Sequence, residues 1–324
     1  LAQLPGVSLE SVADGKFMKD FEKFSLDQFP LRDGFRTIKS LFHYHVLGQK
    51  DNNDIYVHDG YAAKQEYPMN VDSVNRALER FNHIYEKYLE DSKVYMTVVP
   101  DKGYYLAEQA GQLAMDYEAL FDRMETGMPW AQHIDLTGSL SLTDYYRTDT
   151  HWRQENLLPA AQTICDALGV SAPERIPATV LDRPFYGVYY GQAALPMEPD
   201  ALAILEYDYL KSCTVYDHET GKTTSVYDMT KLDSRDLYDV FLSGARALLT
   251  IENPSGQAGK ELIVFRDSFG SSMVPLLIQD YSKVTLVDTR YISSDLLDRY
   301  MDFHGQDVLF LYSALILNSS SAIK

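Results

Sequence analysis

The last third of the chain leaves little choice of fold class. Three short apolar runs, "ELIVF" at 261–265, "KVTLVD" at 283–288 and "DVLFLY" at 307–312, are separated by "SSMVPLLIQDY" and "SSDLLDRYMDF". Runs this short and this apolar suit parallel strands covered on both faces, and the spacers read as helices. The result is a β-α-β-α-β succession. The same rhythm runs upstream. Val71, Val74, Leu78, Phe81, Tyr85 and Tyr88 recur at steps of three and four, which predicts a helix over 70–90. "KVYMTVVP" reads as a strand ended by proline, "DKGYY" as a loop at its C-terminal end, about 108–124 as a helix, "HIDLT" as the next strand and about 154–168 as another helix. With 324 residues, 45% of them hydrophobic, the chain can bury the core of one large α/β domain or of two smaller ones.

Two regions depart from that rhythm. Residues 7–47 read as two helices broken at "DQFPLRD", with Pro30 opening the second and Phe35, Ile38, Leu41 and Phe42 along one face. "GQKDNNDIYVHDGY" follows as a turn-rich connection with a short strand. Residues 180–252 are tyrosine-rich and strand-like, with "VYDHETGKTTSVYD" as a hairpin closed at Gly221. The expected layout is a helical segment at 1–60 packing on an α/β domain at 61–324, with a β-rich insertion at about 180–252. A formal charge of −18 repels phosphate backbones and argues against nucleic acid as a partner. The two cysteines, Cys165 and Cys213, allow at most one disulfide and no zinc motif. No apolar run reaches the roughly 18–20 residues that cross a bilayer. The chain opens on Leu1 rather than Met, so removal of an N-terminal signal or anchor is expected.

In open α/β sheets, functional groups collect beyond the C-terminal ends of the strands. After "ELIVF" comes "RDSFGSS", which places Ser268 in a strand-to-helix turn, where free N–H groups can hold an oxyanion. A serine hydroxyl needs a base, and "RTDTHW" supplies His151, with Asp149 two residues earlier to fix its tautomer. The spacing lets both side chains reach one cleft. The bland readings are a structural histidine in a turn and a serine N-cap. "VPDKGYY" also ends a strand; it is either a Pro-Asp turn or a cleft loop in which Asp101, Lys102 or Tyr105 meets substrate. Trp152 reads as packing beneath the histidine loop. "HYH" at His43–His45 does not present two histidines on one face and lacks a following carboxylate cluster, so no metal site is read there.

"TDTHW" followed far downstream by "RDSFG" resembles the bacterial DHHW-type proteins, which are related to the SGNH-hydrolase-like proteins of alginate O-acetylation. "DQFPLRD", "VVPDKGYY", "FYGVYY", "LVDTRY" and "DVLFLYS" extend the likeness, in that order, over about 20–315. The resemblance implies a three-layer α/β/α, SGNH-hydrolase-like (flavodoxin-like) core on a parallel sheet. It also implies a permuted motif order, with the Asp/His block before the serine block. Carried over, Ser268 is the nucleophile, His151 the base and Asp149 its orienter. The usual Gly-Asp-Ser reads Arg266-Asp267-Ser268 here. The resemblance places a second oxyanion loop at Arg290 and Tyr291, where the Arg290 guanidinium offers a fork of donors. It places a third after "DVLFLY", where Ser313 replaces the expected glycine and Asn318 is the nearest asparagine. It further implies esterase or O-acyltransferase action on a cell-surface or secreted glycan outside a bacterial membrane, a membrane-anchored acyl-donor partner, and no cofactor or metal. Two other readings remain: a carbohydrate-binding or cell-envelope scaffold on the same fold, favoured by the altered oxyanion positions, and a metal-dependent hydrolase with Asp149 and His151 as ligands.

Overall fold

The computed structural model describes residues 4–8, 11–12, 15–28 and 32–324. Helices α1 (Lys16–Gln28) and α2 (Arg32–His45) match the two expected N-terminal helices. The break between them, with Pro30, lies outside the described residues. Strands β1 (Ile55–His58) and β2 (Tyr61–Lys64) pair as an antiparallel hairpin. A boundary at residue 60 would therefore cut through the turn of one hairpin.

Helix α3 (Val71–Ile84) starts where the Asn70 side chain accepts the Ser73 N–H at 3.0 Å, and it continues into a π-helical turn over Tyr85–Leu89. Strand β3 (Lys93–Val99) follows. "DKGYY" is not a loop: Asp101 accepts the Gly103 N–H at 2.6 Å and caps a short helix, α4 (Lys102–Leu106). The helix expected at 108–124 begins later, as α5 (Tyr117–Gly127), because Gly111 turns the chain at φ +59° and Asp116 provides the cap. Strand β4 (Gln132–His133) leads through a long irregular segment to α6 (Leu158–Leu168), which has Pro159 in its first turn and left-handed Gly169 at its end.

The tyrosine-rich stretch holds β5 (Thr179–Phe185), α7 (Val188–Ala193), β6 (Asp200–Ile204), α8 (Asp208–Ser212), β7 (Thr214–Asp217), β8 (Lys222–Thr224) and β9 (Leu248–Glu252). β5 and β6 pair only with each other. β7, β8 and β9 instead extend the main sheet. The remaining elements are β10 (Gln257–Arg266), α9 (Gly270–Met273), β11 (Tyr281–Val287), β12 (Asp307–Ser313) and α10 (Ala314–Asn318). "SSMVPLLIQDY" yields only the single turn of α9 and a 3-10 turn over Val274–Leu276, since Pro275 has no N–H to continue a helix. "SSDLLDRYMDF" forms a 3-10 helix over Ser294–Arg299.

The main sheet runs β4-β3-β12-β10-β11-β9-β7-β8. The first five strands are parallel and the last three join antiparallel. Alternation along each strand separates two cores. Tyr95, Val99, Leu262, Val264, Leu309 and Leu311 face α6 and Trp152. Val94, Met96, Val98, Ile263, Phe265, Val308 and Phe310 face α3 and α5. This is the three-layer α/β/α arrangement that the resemblance implied, built on the covered parallel strands expected from the apolar runs. α2 is tied to this body through α7: Ser40 Oγ donates to the Ala193 carbonyl at 2.9 Å, and Asn52 bonds both Ser40 and that carbonyl. β3, β10, β11 and β12 are mutually parallel. Asp101, Ser268, Asp288 and Ser313 therefore stand at one edge of the sheet.

Candidate active site

Between Leu262 and Ile278 every residue is buried except Ser268, which is partly exposed. The turn that presents it is held by Asp267. One Asp267 carboxylate oxygen accepts the Phe269 N–H at 2.9 Å. The other accepts the Ser313 N–H at 2.8 Å and the Ser313 hydroxyl at 2.6 Å, which ties the end of β10 to the end of β12. Arg266, which replaces the usual glycine, is fully buried under the turn. Its guanidinium donates to the Asp267 carbonyl and to Ser271 Oγ and lies 3.9 Å from Asp288. Among the described residues the Ser268 N–H has no hydrogen-bond acceptor, so it remains available to an oxyanion. With α9 only one turn long, little helix dipole adds to it.

His151 Nε2 lies 2.8 Å from Ser268 Oγ, and His151 Nδ1 lies 2.5 Å from Asp149 Oδ1. The structure thus brings together the three residues picked from two distant motifs. Asp149 Oδ1 also accepts the His151 N–H, and Oδ2 accepts the Val188 N–H at 2.8 Å. Burial pushes the Asp149 carboxyl up. The His151 ring and the N–H groups of His151 and Val188 outweigh it, so the carboxyl sits below the ordinary value. Gly187 has to be a glycine: a Cβ there would stand 2.2 Å from Asp149 Cβ and 2.5 Å from its Cα. Trp152 is buried beneath the loop and donates to Ser272 Oγ at 2.9 Å.

The loop carrying Asp149 is gripped from outside by two charged side chains. Asp200, at the start of β6, accepts the N–H groups of Arg147 and Thr148 and the Thr148 hydroxyl at 2.6–2.9 Å. Lys102 donates to the carbonyls of Tyr146 (2.8 Å) and Arg147 (3.3 Å). Lys102 is therefore a support for the loop rather than a substrate contact, being 1% exposed. Burial pulls its ammonium down to about 7, against the attraction of Asp149, Asp200 and Asp101. Asp101 is also buried, and its Oδ1 accepts from Gly103 and from the Tyr117 hydroxyl at 2.7 Å. Burial raises it to about 6. The Tyr105 ring packs against Tyr145, with centroids 5.9 Å apart.

The residues expected to complete the oxyanion site are occupied elsewhere. Arg290 spends its fork on Asp288, with Nε at 2.8 Å and NH2 at 2.6 Å from the two carboxylate oxygens. The Asn318 side chain bonds Glu66 and the Asn70 N–H. Tyr291 is exposed and lines a cavity of about 550 Å³ with Tyr300, Arg246 and His218. Among the described residues no group of three or more His, Cys, Asp and Glu side chains is placed to hold a metal ion. His43 instead meets Gln49, and both cysteines are buried and free. Sequence reasoning missed Asp200, Gly187 and Tyr238, the last of which stacks on His151. Only Gly187 left a signal, as the glycine of "FYGVYY".

The covered, mostly parallel sheet, with a serine at one strand end and an Asp-x-His loop facing it, is an α/β fold of the SGNH-like kind. The family described as DHHW protein matches residues 135–287, a span that contains both motifs. A DHHW family protein from Eubacterium siraeum superposes with a TM-score of 0.67 at 22% identity, covering 84% of this chain and 95% of that one. Bacillus cereus PatB1 bearing a sulfonyl adduct gives 0.63 at 18%, covering 81% and 95%. The O-acetyltransferase domain of Pseudomonas putida AlgJ gives 0.50 at 13%, covering 82% and 92%. No curated protein matches the chain significantly. The resemblance to DHHW-type and alginate O-acetylation proteins is borne out, and so is the fold it implied.

Proposed function

We propose that this protein is a serine-dependent acyl-transfer enzyme, an esterase or O-acyltransferase acting on acyl esters of a glycan outside the cytoplasm. The observation that carries the reading is the unbroken hydrogen-bond chain from Asp149 through His151 to the one partly exposed hydroxyl of the β10 turn. His151 Nε2 takes the Ser268 proton as Oγ attacks the acyl carbonyl carbon. The Ser268 N–H meets the developing oxyanion. As the tetrahedral carbon collapses, the ester C–O bond breaks and the leaving sugar oxygen takes the proton back from His151. A second sugar hydroxyl or water then gives its proton to His151 and attacks the acyl-serine; as the acyl–Oγ bond breaks, Ser268 Oγ takes that proton from His151. Similarity in fold to the AlgJ O-acetyltransferase domain supports acyl transfer. An extracytoplasmic setting and a membrane-anchored partner that supplies the acyl group belong to this proposal as what the motif resemblance implies. The sulfonyl adduct described for PatB1 suggests a probe, because sulfonyl groups react with activated hydroxyls.

The test is hydrolysis of p-nitrophenyl acetate together with sulfonyl-fluoride labelling read by peptide mass spectrometry. Wild type should turn over and take the label on Ser268. Ser268→Ala, His151→Ala and Asp149→Asn should each lose on the order of 10³-fold or more in kcat/KM. Hydrolysis unchanged in all three variants sinks the assignment. One observation favours a second reading, a glycan-binding scaffold: Arg290 and Asn318 are both committed to other partners, which leaves a single identified oxyanion donor. That reading predicts glycan binding with neither turnover nor labelling.

A further inference from the structure

The wall behind His151 comes from the stretch between β8 and β9. A 3-10 turn over Leu237–Val240 carries Tyr238, whose ring lies flat on the imidazole with centroids 3.8 Å apart and planes 6° from parallel. Phe269 closes on the same imidazole at 5.1 Å. The Tyr238 hydroxyl shares a 2.7 Å hydrogen bond with Ser272 Oγ, which also accepts the Trp152 Nε1–H. Ser272 lies in α9, just past Ser268, and Trp152 adjoins His151. One hydrogen-bond chain therefore links the stacked ring to the segments that carry base and serine. Asp236 and Asp239 flank Tyr238, and the Asp236 carboxylate accepts the Tyr238 N–H at 3.0 Å. The segment is folded back by three successive left-handed residues, Leu242, Ser243 and Gly244. A Cβ on Gly244 would stand 2.0 Å from Asp239 Oδ1, so glycine is what lets Asp239 pack there.

We propose that Tyr238 is a positioning residue for the base: its ring fixes the imidazole plane and stabilises the imidazolium that forms when His151 takes the Ser268 proton. This rests on the reading of His151 as base. The titratable groups around the imidazole and its stacked ring are Asp149 on its own loop, Asp236 and Asp239 on the 3-10 segment, and Asp267 in the β10 turn, which also presents Ser268 and Phe269. The face of an aromatic ring carries negative potential, so it holds a cation better than a neutral ring. A desolvated contact of this kind favours the charged form by about 2- to 30-fold.

The experiment compares wild type, Tyr238→Phe and Tyr238→Leu by two readouts: the pH profile of p-nitrophenyl acetate hydrolysis and an NMR titration of the His151 ring. Tyr238→Leu should lower kcat about tenfold with KM little changed. It should also move the His151 titration midpoint, and the acid limb of kcat/KM with it, down by about half to one pH unit. Tyr238→Phe keeps the ring and should hold the midpoint. If Tyr238→Leu does not fold, Tyr238→pentafluorophenylalanine keeps the shape and reverses the ring's potential, and it should move the midpoint the same way. An active wild type with an unmoved midpoint in the leucine or fluorinated variant overturns the role of Tyr238. A shifted midpoint in a protein that hydrolyses nothing upholds the imidazolium contact and removes the acyl-transfer reading, so the two failures look different.

Discussion

Gly187 touches no reacting atom, yet it decides where Asp149 can sit. A methyl group there collides with the Asp149 backbone as well as its side chain, so no rotamer change relieves it. Gly187→Ala should cost about 1–3 kcal/mol of stability and displace the carboxylate from His151. Thermal unfolding and kcat on p-nitrophenyl acetate check this, and a variant with wild-type values in both would show that the loop yields freely. Asp149, His151 and Ser268 were legible in the sequence because their chemistry is stated locally, by a two-residue spacing and a strand-to-turn position. Tyr238 was not, and Gly187 only as the glycine of a quoted motif without its role, because their partners are set only when distant segments fold together. Arg290 misled for a different reason. Its fork suits a substrate anion, but Asp288 two residues earlier already fills it.

At the scale of elements, the ends of β10 and β12 act as one piece because a single buried carboxylate bonds both. Asp267→Asn keeps the size but replaces one acceptor oxygen with a donor facing the Phe269 or Ser313 N–H. About 1–3 kcal/mol of stability should be lost, with kcat falling as the turn of Ser268 loosens; urea titration and kinetics measure the two. β5, α7 and β6, which read in the sequence as part of an insertion, supply Val188 N–H, Gly187 and Asp200 to the Asp149 loop. Asp200→Asn should therefore lower kcat about tenfold or more while leaving KM and the circular dichroism spectrum near wild type. Unchanged kcat would show that the loop stands without it. Composition marked this stretch as strand-rich, but composition carries no information about which loop a strand start will face.

For the molecule as a whole, a buried lysine leaves a signature in the dependence of stability on pH. Lys102 is held at about 7 in the fold, below the ordinary lysine value. Between those two pH values the unfolded chain binds the extra proton, so folding gains stability as pH rises and loses it as pH falls towards 7. The slope from this group approaches about 1.4 kcal/mol per pH unit. Wild type should become more stable between pH 7.5 and 9.5 relative to Lys102→Met, by chemical denaturation at matched ionic strength. Parallel curves for the two proteins would contradict the burial of a titrating amine. The sheet itself was the most legible feature, since runs such as "ELIVF" and "DVLFLY" encode coverage on both faces. Strand order was not, because parallel neighbours are chosen by packing across the chain and leave no trace in periodicity.

That order bears on how the protein is made. β12 follows β3, β10 and β11 along the chain, yet it lies between β3 and β10, hydrogen-bonded to both. Until residues 307–313 emerge, β3 with β4 and β10 with β11 are two half-sheets, each with an open edge and an apolar face awaiting a neighbour. The turn that carries Ser268 also lacks Ser313 until then, so the bonds from Asp267 that tie β10 to β12 form only once that strand is in place. Its strand edges are thus open to mispairing for longer than those of a fold closed by its early strands would be.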